Sequence, residues 1–299
     1  MSSKKILIVS GTHGNEINPV WAVNKFIKSE KINSSNDNLT FASGNPLAIN
    51  KGLRYLDFDL NRSFNRKVTN INKDFYELKR AEFLINEYGI SGLNPCQIAL
   101  DFHTTTSAMG TSIVMYGRRK YDFCLAAILQ NKFGLPIYLH EKDKNQTGFL
   151  VEAWPCGLVI EIGPVAQNYY DPQIIERFII ILKFLYRTNL NPENICLNNS
   201  SEITFFVHKY SIDYPRDQKN NVKAVIHPMR LNQDWNLIQE GDPLFLDNQG
   251  KTIKYTESDI VYPVFIGEAA YKEKNIAMSF TKKEILEIPQ SWFNSFFNW

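Results

Sequence analysis

The first two-thirds of the chain alternate short apolar runs with segments whose apolar residues repeat at helical spacing. The apolar runs typical of strands are 6–9, 38–43, 98–103, 111–116, 135–139 and 158–162. Helical spacing occurs over residues 20–30, on the apolar face Leu78, Ala81, Ile85 and Tyr88, and after Asp171-Pro172, where proline opens the helix. We predict an α/β fold with a mixed, largely parallel sheet, since the run 111–116 follows its neighbour too closely for a crossover helix.

The pattern changes at a polar stretch that contains Pro192, over residues 189–194. Beyond it the chain consists of short apolar runs separated by turn residues such as Gly241 and Gly250. The runs are 203–207, 224–227, 243–246 and 260–265. We therefore predict two domains, an α/β domain over 1–197 and a β-rich domain over 198–299.

Composition and charge exclude several classes of protein. The chain has 299 residues, 44% of them hydrophobic, and a formal net charge of +2, values typical of a globular protein without a nucleic-acid partner. No apolar segment approaches the roughly 18 residues that span a bilayer. The start, Met1 to Lys5, passes directly into an apolar run and does not resemble a signal peptide. We expect a cytoplasmic protein with no membrane partner.

The first apolar run leads into Gly11-Thr12-His13-Gly14-Asn15-Glu16, the most informative segment of the chain. An imidazole and a carboxylate three residues apart, at the end of a predicted strand, suit Zn²⁺. A catalytic zinc takes three protein ligands and keeps one position for water, so a third ligand is expected elsewhere. The segment predicts a metal site that contains His13 and Glu16.

His103 is the best candidate for the third ligand, because it ends the predicted strand 98–103 and precedes a Thr-rich loop. Ligands of open α/β sheets bind at the carboxyl ends of strands. Strand alternation places Asp101 on the same face, where its carboxylate would accept the spare ring N–H of His103. His140, at the end of the run 135–139, is the alternative ligand.

Four further polar residues occur in unusual surroundings. Glu161 stands within the apolar run 158–162, a costly position for a carboxylate unless it has a partner or a role in proton transfer. The alternative is a structural Glu161 paired with an arginine. Arg54, Asn61 and Arg62 lie within nine residues of irregular chain, and such forked donors suit an anionic substrate.

The four cysteines are scattered and form no CxxC pair, which predicts reduced thiols: Cys96, Cys124, Cys156 and Cys196. Cys156 lies near the predicted site. A cysteine nucleophile would need a histidine partner that the metal site already uses, so we do not expect Cys156 to be catalytic.

Taken in order, GTHGNE, GNP, DLNR, DFHTTTS, VIEIGP and, at 268–271, EAAY resemble the aspartoacylase family of zinc acylases, which includes succinylglutamate desuccinylases. Segments of the second domain, among them Tyr214 to Asp217 and Val261 to Phe265, are also similar to this family. The resemblance implies a carboxypeptidase-like α/β domain and a C-terminal β domain that narrows access to the site. It also implies one zinc ion per chain and leaves a homo-oligomer open.

The resemblance assigns a role to each motif residue. His13, Glu16 and His103 match zinc ligands, Glu161 matches the general base, and Arg54 matches the group that polarises the scissile carbonyl. The matches to substrate-binding groups are Arg54, Asn61, Arg62, Glu161 and Tyr271.

The implied reaction is hydrolysis of an N-acyl amino acid, with N-acetyl-L-aspartate as the expected substrate. The resemblance implies a Tyr-x-x-x-Arg pattern before the general base in the animal members of the family. The loop 144–150 of this chain contains no arginine. An acylase for other N-acyl amino acids and a carboxypeptidase are the enzymatic alternatives. The alternative from another class is a non-catalytic metabolite-binding protein.

Overall fold

The computed structural model describes residues 4–32, 38–65, 74–141, 147–195 and 202–299. Its strands are β1 (Ile6–Ser10), β2 (Leu39–Ser43), β3 (Ile98–Thr104), β4 (Thr111–Tyr116), β5 (Ile137–His140), β6 (Cys156–Ile162), β7 (Glu202–Ile212), β8 (Ala224–Ile226), β9 (Pro243–Asp247), β10 (Thr252–Lys254), β11 (Tyr262–Val264) and β12 (Met278–Glu287). Its α-helices are α1 (Ile17–Glu30), α2 (Pro46–Lys51), α3 (Tyr76–Tyr88), α4 (Lys120–Phe133), α5 (Pro172–Thr188) and α6 (Gln290–Asn298). None of these helices is both long and apolar enough to cross a membrane.

Nine strands form one sheet, in the order β11-β12-β7-β5-β4-β6-β3-β1-β2. Strands β2, β1, β3 and β6 are parallel to one another, as the alternation of apolar runs predicts. Strand β4 is antiparallel to β6 and parallel to β5, which agrees with its short connection to β3. The prediction of a mixed, largely parallel sheet is confirmed.

Two apolar clusters cover the two faces of this sheet. The larger lies under α1, α4, α5 and α6, and includes Phe26, Phe123, Phe178 and Phe293. The smaller lies on the opposite face, with Leu84 of α3 beside the side chains of β6 and of the segment that follows β11. Helix α5 begins where the sequence predicts, because the side chain of Asp171 accepts hydrogen bonds from the first turn and Pro172 follows it.

The C-terminal part extends this sheet and adds a second one. Strands β7, β12 and β11 continue the nine-stranded sheet, whereas β8, β9 and β10 form a separate antiparallel sheet over a third apolar cluster. The boundary at residue 197 lies outside the described residues and stays a prediction, as does the thiol state of Cys196. The other three cysteines are free and buried.

The sequence prediction for 260–265 is too long. The strand covers only Tyr262–Val264, since Phe265 has φ 54°, a left-handed conformation that ends the extended chain. No sequence pattern predicted strands β10 and β12 or helices α2, α4 and α6.

Candidate active site

The site forms where β1, β3 and β6 end side by side. In the parallel register of β3 and β6, His103 lies opposite Glu161, and β1 leads into the loop that carries His13. Gly14 allows this loop to approach α2, because a Cβ there would lie 2.1 Å from the carbonyl carbon of Ala48. The strand ends therefore bring three distant motifs to one edge of the sheet.

His13, Glu16 and His103 form one buried cluster. The two carboxylate oxygens of Glu16 divide between the two imidazoles: Oε1 lies 2.7 Å from His13 Nδ1 and Oε2 lies 3.0 Å from His103 Nδ1. The ligand atoms that the three side chains offer all lie within 4.8 Å of one another. In the part of the chain that the structure describes, this is the only such group of His, Cys, Asp and Glu side chains.

The other nitrogen of each imidazole lies within hydrogen-bond distance of a carboxylate other than Glu16, a different one for each histidine. Asp101 Oδ2 lies 2.7 Å from His103 Nε2, which is the contact predicted from strand alternation. Asp59 Oδ1 lies 3.1 Å from His13 Nε2. Asp59 is a site residue that was not predicted from the sequence, although it begins the DLNR motif. Both histidines thus have their Nδ1 atoms directed toward Glu16, as in metal sites whose imidazoles are oriented by outer carboxylates.

The charges in this cluster are interdependent. Burial alone would raise the pKa of Glu16, but His13 and His103 outweigh it and hold that pKa well below its usual value. Burial likewise opposes the charged form of His103, yet Asp101 and Glu16 raise its pKa well above the usual value. The cluster stabilises positive charge at its centre.

Glu161 lies beside the cluster but is not paired. Its Oε2 atom is buried without a hydrogen-bond partner among the described residues, and no arginine there forms an ion pair with it. Burial raises the pKa of Glu161 to about 8, with further contributions from Glu16 and Glu268 and opposition from His103. The structural alternative of an arginine-paired glutamate therefore does not agree with these contacts.

The three donors predicted from the segment 54–62 enter the same pocket. Arg54 Nη1 donates to Glu16 Oε1 at 3.3 Å, so this guanidinium adjoins the cluster. Asn61 accepts a hydrogen bond from the backbone N–H of Leu150 through Oδ1, at 2.9 Å. The Arg62 guanidinium lies over the ring of Phe149, with its carbon 3.8 Å from the ring centre.

Tyr271 reaches the pocket from the C-terminal part of the chain, on the 3₁₀ helix Ala269–Lys274. Glu268 fixes this helix to the loop after β3, because its Oε2 accepts from the backbone N–H of Thr106 at 2.8 Å and from the Thr105 hydroxyl. Glu268 stands in the EAAY motif, but no role for it was predicted from the sequence. The packing of two distant segments reveals its role, and no local pattern does.

His140, the alternative third ligand, lines the same pocket but lies outside the three-residue cluster. Its Nδ1 is 2.9 Å from the hydroxyl of Tyr138, which is also 2.9 Å from His208 Nδ1. His140 thus belongs to an aromatic wall of the pocket. All the residues that the sequence analysis assigned to the site line this one pocket: His13, Glu16, Arg54, Asn61, Arg62, His103, Glu161 and Tyr271.

The chain is similar over its whole length to known proteins. Residues 2–186 match the succinylglutamate desuccinylase/aspartoacylase catalytic domain, and residues 201–283 match the AstE/AspA barrel-sandwich hybrid domain. A protein of Prochlorococcus marinus strain MIT 9515 named "Probable aspartoacylase" is 59% identical over 298 residues, which cover 100% of both chains. Another protein of that name, from strain NATL2A, is 46% identical over 98% of this chain and 96% of its own.

Solved structures agree with this assignment. Murine aminoacylase 3 matches with a TM-score of 0.80 and 27% identity, over 97% of this chain and 98% of its own. The succinylglutamate desuccinylase of Chromobacterium violaceum shares the fold, with a TM-score of 0.63 and 19% identity over 96% of this chain and 86% of its own. The chain therefore belongs to the succinylglutamate desuccinylase/aspartoacylase family, hydrolases that act on the amide bonds of N-acyl amino acids.

Proposed function

We propose that the protein is a zinc-dependent amidohydrolase that converts N-acetyl-L-aspartate to L-aspartate and acetate. The observation that carries the proposal is the convergence, in one pocket, of a His-Glu-His group with an unpaired buried carboxylate and two guanidinium groups. A non-catalytic metabolite-binding protein would have no use for the buried and unpaired Glu161.

The donor set fits zinc. Two imidazole nitrogens and one carboxylate are the ligands of many catalytic zinc sites, and carboxylates already orient both imidazoles. When bound by His13, Glu16 and His103, zinc supplies a Lewis acid for the amide carbonyl and lowers the pKa of a water molecule.

The chain's own residues perform the remaining chemistry. Glu161 takes a proton from the water that attacks the carbonyl carbon, and it returns that proton to the nitrogen as the amide C–N bond breaks. Arg54 donates hydrogen bonds to the carbonyl oxygen as negative charge develops on it. The substrate carboxylate binds the forked donors of Arg62, with Asn61 and Tyr271 completing its contacts.

A second candidate substrate class has support of its own. The described part of the loop before β6 contributes Phe149 rather than an arginine to the pocket, beside Tyr116 and Tyr138. An aromatic wall favours N-acyl amino acids with an uncharged side chain.

One sample tests both candidates. We expect purified protein to contain about one zinc per chain and to hydrolyse a panel of N-acetyl amino acids, with chelation abolishing turnover and zinc restoring it. Turnover that survives complete metal removal would overturn the mechanism. The ratio of kcat/KM for N-acetyl-L-aspartate to that for N-acetyl-L-phenylalanine decides between the substrate classes.

We also propose that the two parts of the chain have different roles at the pocket. Residues 1–197 form the catalytic domain, and the β-rich residues 198–299 cap the pocket through Tyr271. Glu268 supports this division of labour, since its hydrogen bonds join the capping segment to the catalytic loop after β3. A cytoplasmic location and the oligomeric state stay predictions.

A further inference from the structure

The Arg62 guanidinium rests on a stack of two aromatic rings. Its carbon is 3.8 Å from the centre of the Phe149 ring, and that ring stacks on Tyr116 with 3.7 Å between centres and 23° between planes. Tyr116 is the last residue of β4, so the stack connects the guanidinium to the central sheet. No carboxylate of the described ranges lies within the 4.0 Å that defines an ion pair with Arg62.

The segments that carry Phe149 and Arg62 are joined by two hydrogen bonds. The N–H of Phe64 donates to the carbonyl of Gly148 at 3.3 Å, and the N–H of Leu150 donates to Asn61 Oδ1 at 2.9 Å. Gly148 permits this approach because its φ is 85° and a Cβ there would lie 2.9 Å from the Arg62 carbonyl oxygen. The two segments are therefore held at a fixed separation.

The loop beneath the ring is itself fixed. Glu152 Oε2 accepts hydrogen bonds from the backbone N–H groups of Gly148 and Phe149, each at 2.9 Å. Arg119 donates to the carbonyl oxygens of Val151 and Trp154, at 3.2 and 2.7 Å. Phe149 is 3% exposed, so its ring has little freedom to turn away from the guanidinium.

We infer that Phe149 is a positioning residue, whose ring holds the Arg62 guanidinium in the orientation that receives the substrate carboxylate. The inference rests on the proposed function of Arg62. A long arginine side chain loses conformational freedom when it binds a ligand, and a guanidinium already seated on an aromatic face has less to lose. Arg62 Nη1 donates to the carbonyl oxygen of Asn61 at 2.6 Å, and contact through the flat face leaves the N–H groups of Nε and Nη2 for a bidentate contact.

The test is Phe149→Leu, which keeps an apolar side chain of similar size and removes the aromatic face. The expected result is a rise in KM for N-acetyl-L-aspartate of roughly 3- to 30-fold, with kcat and zinc content unchanged within about twofold. In an Arg62→Lys background the same change is expected to alter KM by less than about twofold, because lysine has no flat face to seat. If the two substitutions change KM independently, so that their factors multiply in the double variant, the inference is wrong.

Phe265→Leu is the matched control. Phe265 lines the same pocket, but its ring contacts are with Tyr138 and Tyr271 rather than with Arg62. Its effect on KM is expected to multiply with that of Arg62→Lys. The contrary result is that the effect of Phe265→Leu on KM shrinks in the Arg62→Lys background by the same factor as that of Phe149→Leu. Loss of either ring would then disturb Arg62 equally, which would overturn the specific role of Phe149.

A crystal structure of Phe149→Leu separates this inference from the proposed function. The Arg62 guanidinium is expected to leave its position or to adopt more than one conformation in the variant, whatever the substrate proves to be. An ordered guanidinium in the wild-type position would overturn the inference. Failure of the wild-type enzyme to hydrolyse any N-acyl amino acid would instead overturn the proposed function.

Discussion

At one end of the pocket, His13 and His103 each have both ring nitrogens within hydrogen-bond distance of a carboxylate. At the other end, Arg62 rests on an aromatic ring and has no ion-pair partner among the described residues. The first end is fixed by charge at strand ends, whereas the second is fixed by packing between loops. We expect the charged network to lose its function when one member is removed, because the remaining charges stay buried without a partner. We expect loss of one packing contact at the other end to weaken substrate binding only in part.

The two ends also differ in the function proposed for them: one carries the reaction, and the other selects the substrate. The groups proposed to bind metal and to move a proton derive from β3, β6 and the turn after β1, which the sheet holds in register. The groups assigned to the substrate carboxylate derive from the 3₁₀ helix Leu60–Arg62 and from the C-terminal part of the chain. The two sets of groups thus come from different elements, and they meet at Asn61, whose Nδ2 lies 3.4 Å from His103 Nε2.

The largest effect is expected for His103→Ala. The variant should hold less than about a tenth of a zinc ion per chain and lose turnover by more than about 10³-fold, since the Lewis acid and the activated water are lost together. Metal analysis and a turnover assay on one sample measure both losses. His140→Ala is the control and should retain zinc. Full zinc occupancy in His103→Ala, with loss in His140→Ala, would exchange the roles of the two histidines.

Removal of the base separates the chemistry from metal binding. Glu161→Gln keeps the shape of the side chain but cannot take a proton, so kcat is expected to fall by about 10²-fold or more while zinc content stays the same. Steady-state kinetics and metal analysis check the two parts. Loss of zinc from this variant would make Glu161 a ligand rather than a base.

At the substrate end, Arg62→Lys keeps the charge and loses the planar fork. The fall in kcat/KM for N-acetyl-L-aspartate is expected to correspond to a loss of roughly 1–3 kcal/mol in transition-state stabilisation, with zinc content unaffected. An N-acyl amine without a carboxylate should be hydrolysed equally well by wild type and variant, because its transition state makes no contact with the fork. Equal losses for both substrates would assign Arg62 a structural role.

The two ends also differ in how far the sequence predicts them. Asp101 and His103 are predictable because an apolar run locates β3 and the period of two places both side chains on one face. His13 and Glu16 are predictable because they follow directly on the apolar run that forms β1. Phe149 stands beside Arg62 only because two loops pack together, and no local pattern reports such packing.

The same reasoning applies to the fold. Helix α6 contains Ser, Asn and aromatic residues of low helix propensity, and it forms where Phe293 and Phe296 pack into the main apolar cluster. Helix α4 is buried continuously from Asp122 to Leu129, so its apolar run carries little helical period. In β12, Lys282 and Lys283 interrupt the apolar alternation, yet the strand forms by pairing with β7.

The smallest expected effect is that of Tyr271→Phe, which removes one hydroxyl and keeps the ring that packs against Phe265 at 5.4 Å between centres. One hydrogen bond to the substrate carboxylate contributes about 0.5–1.5 kcal/mol net, so KM for N-acetyl-L-aspartate should rise by about 2- to 12-fold. The thermal midpoint should stay the same, because the ring and the hydrogen bonds of Glu268 are retained. A fall in kcat without a rise in KM would mean that Tyr271 contacts the developing oxyanion instead. Tyr271 would then belong with the charged end of the pocket rather than with the packed one.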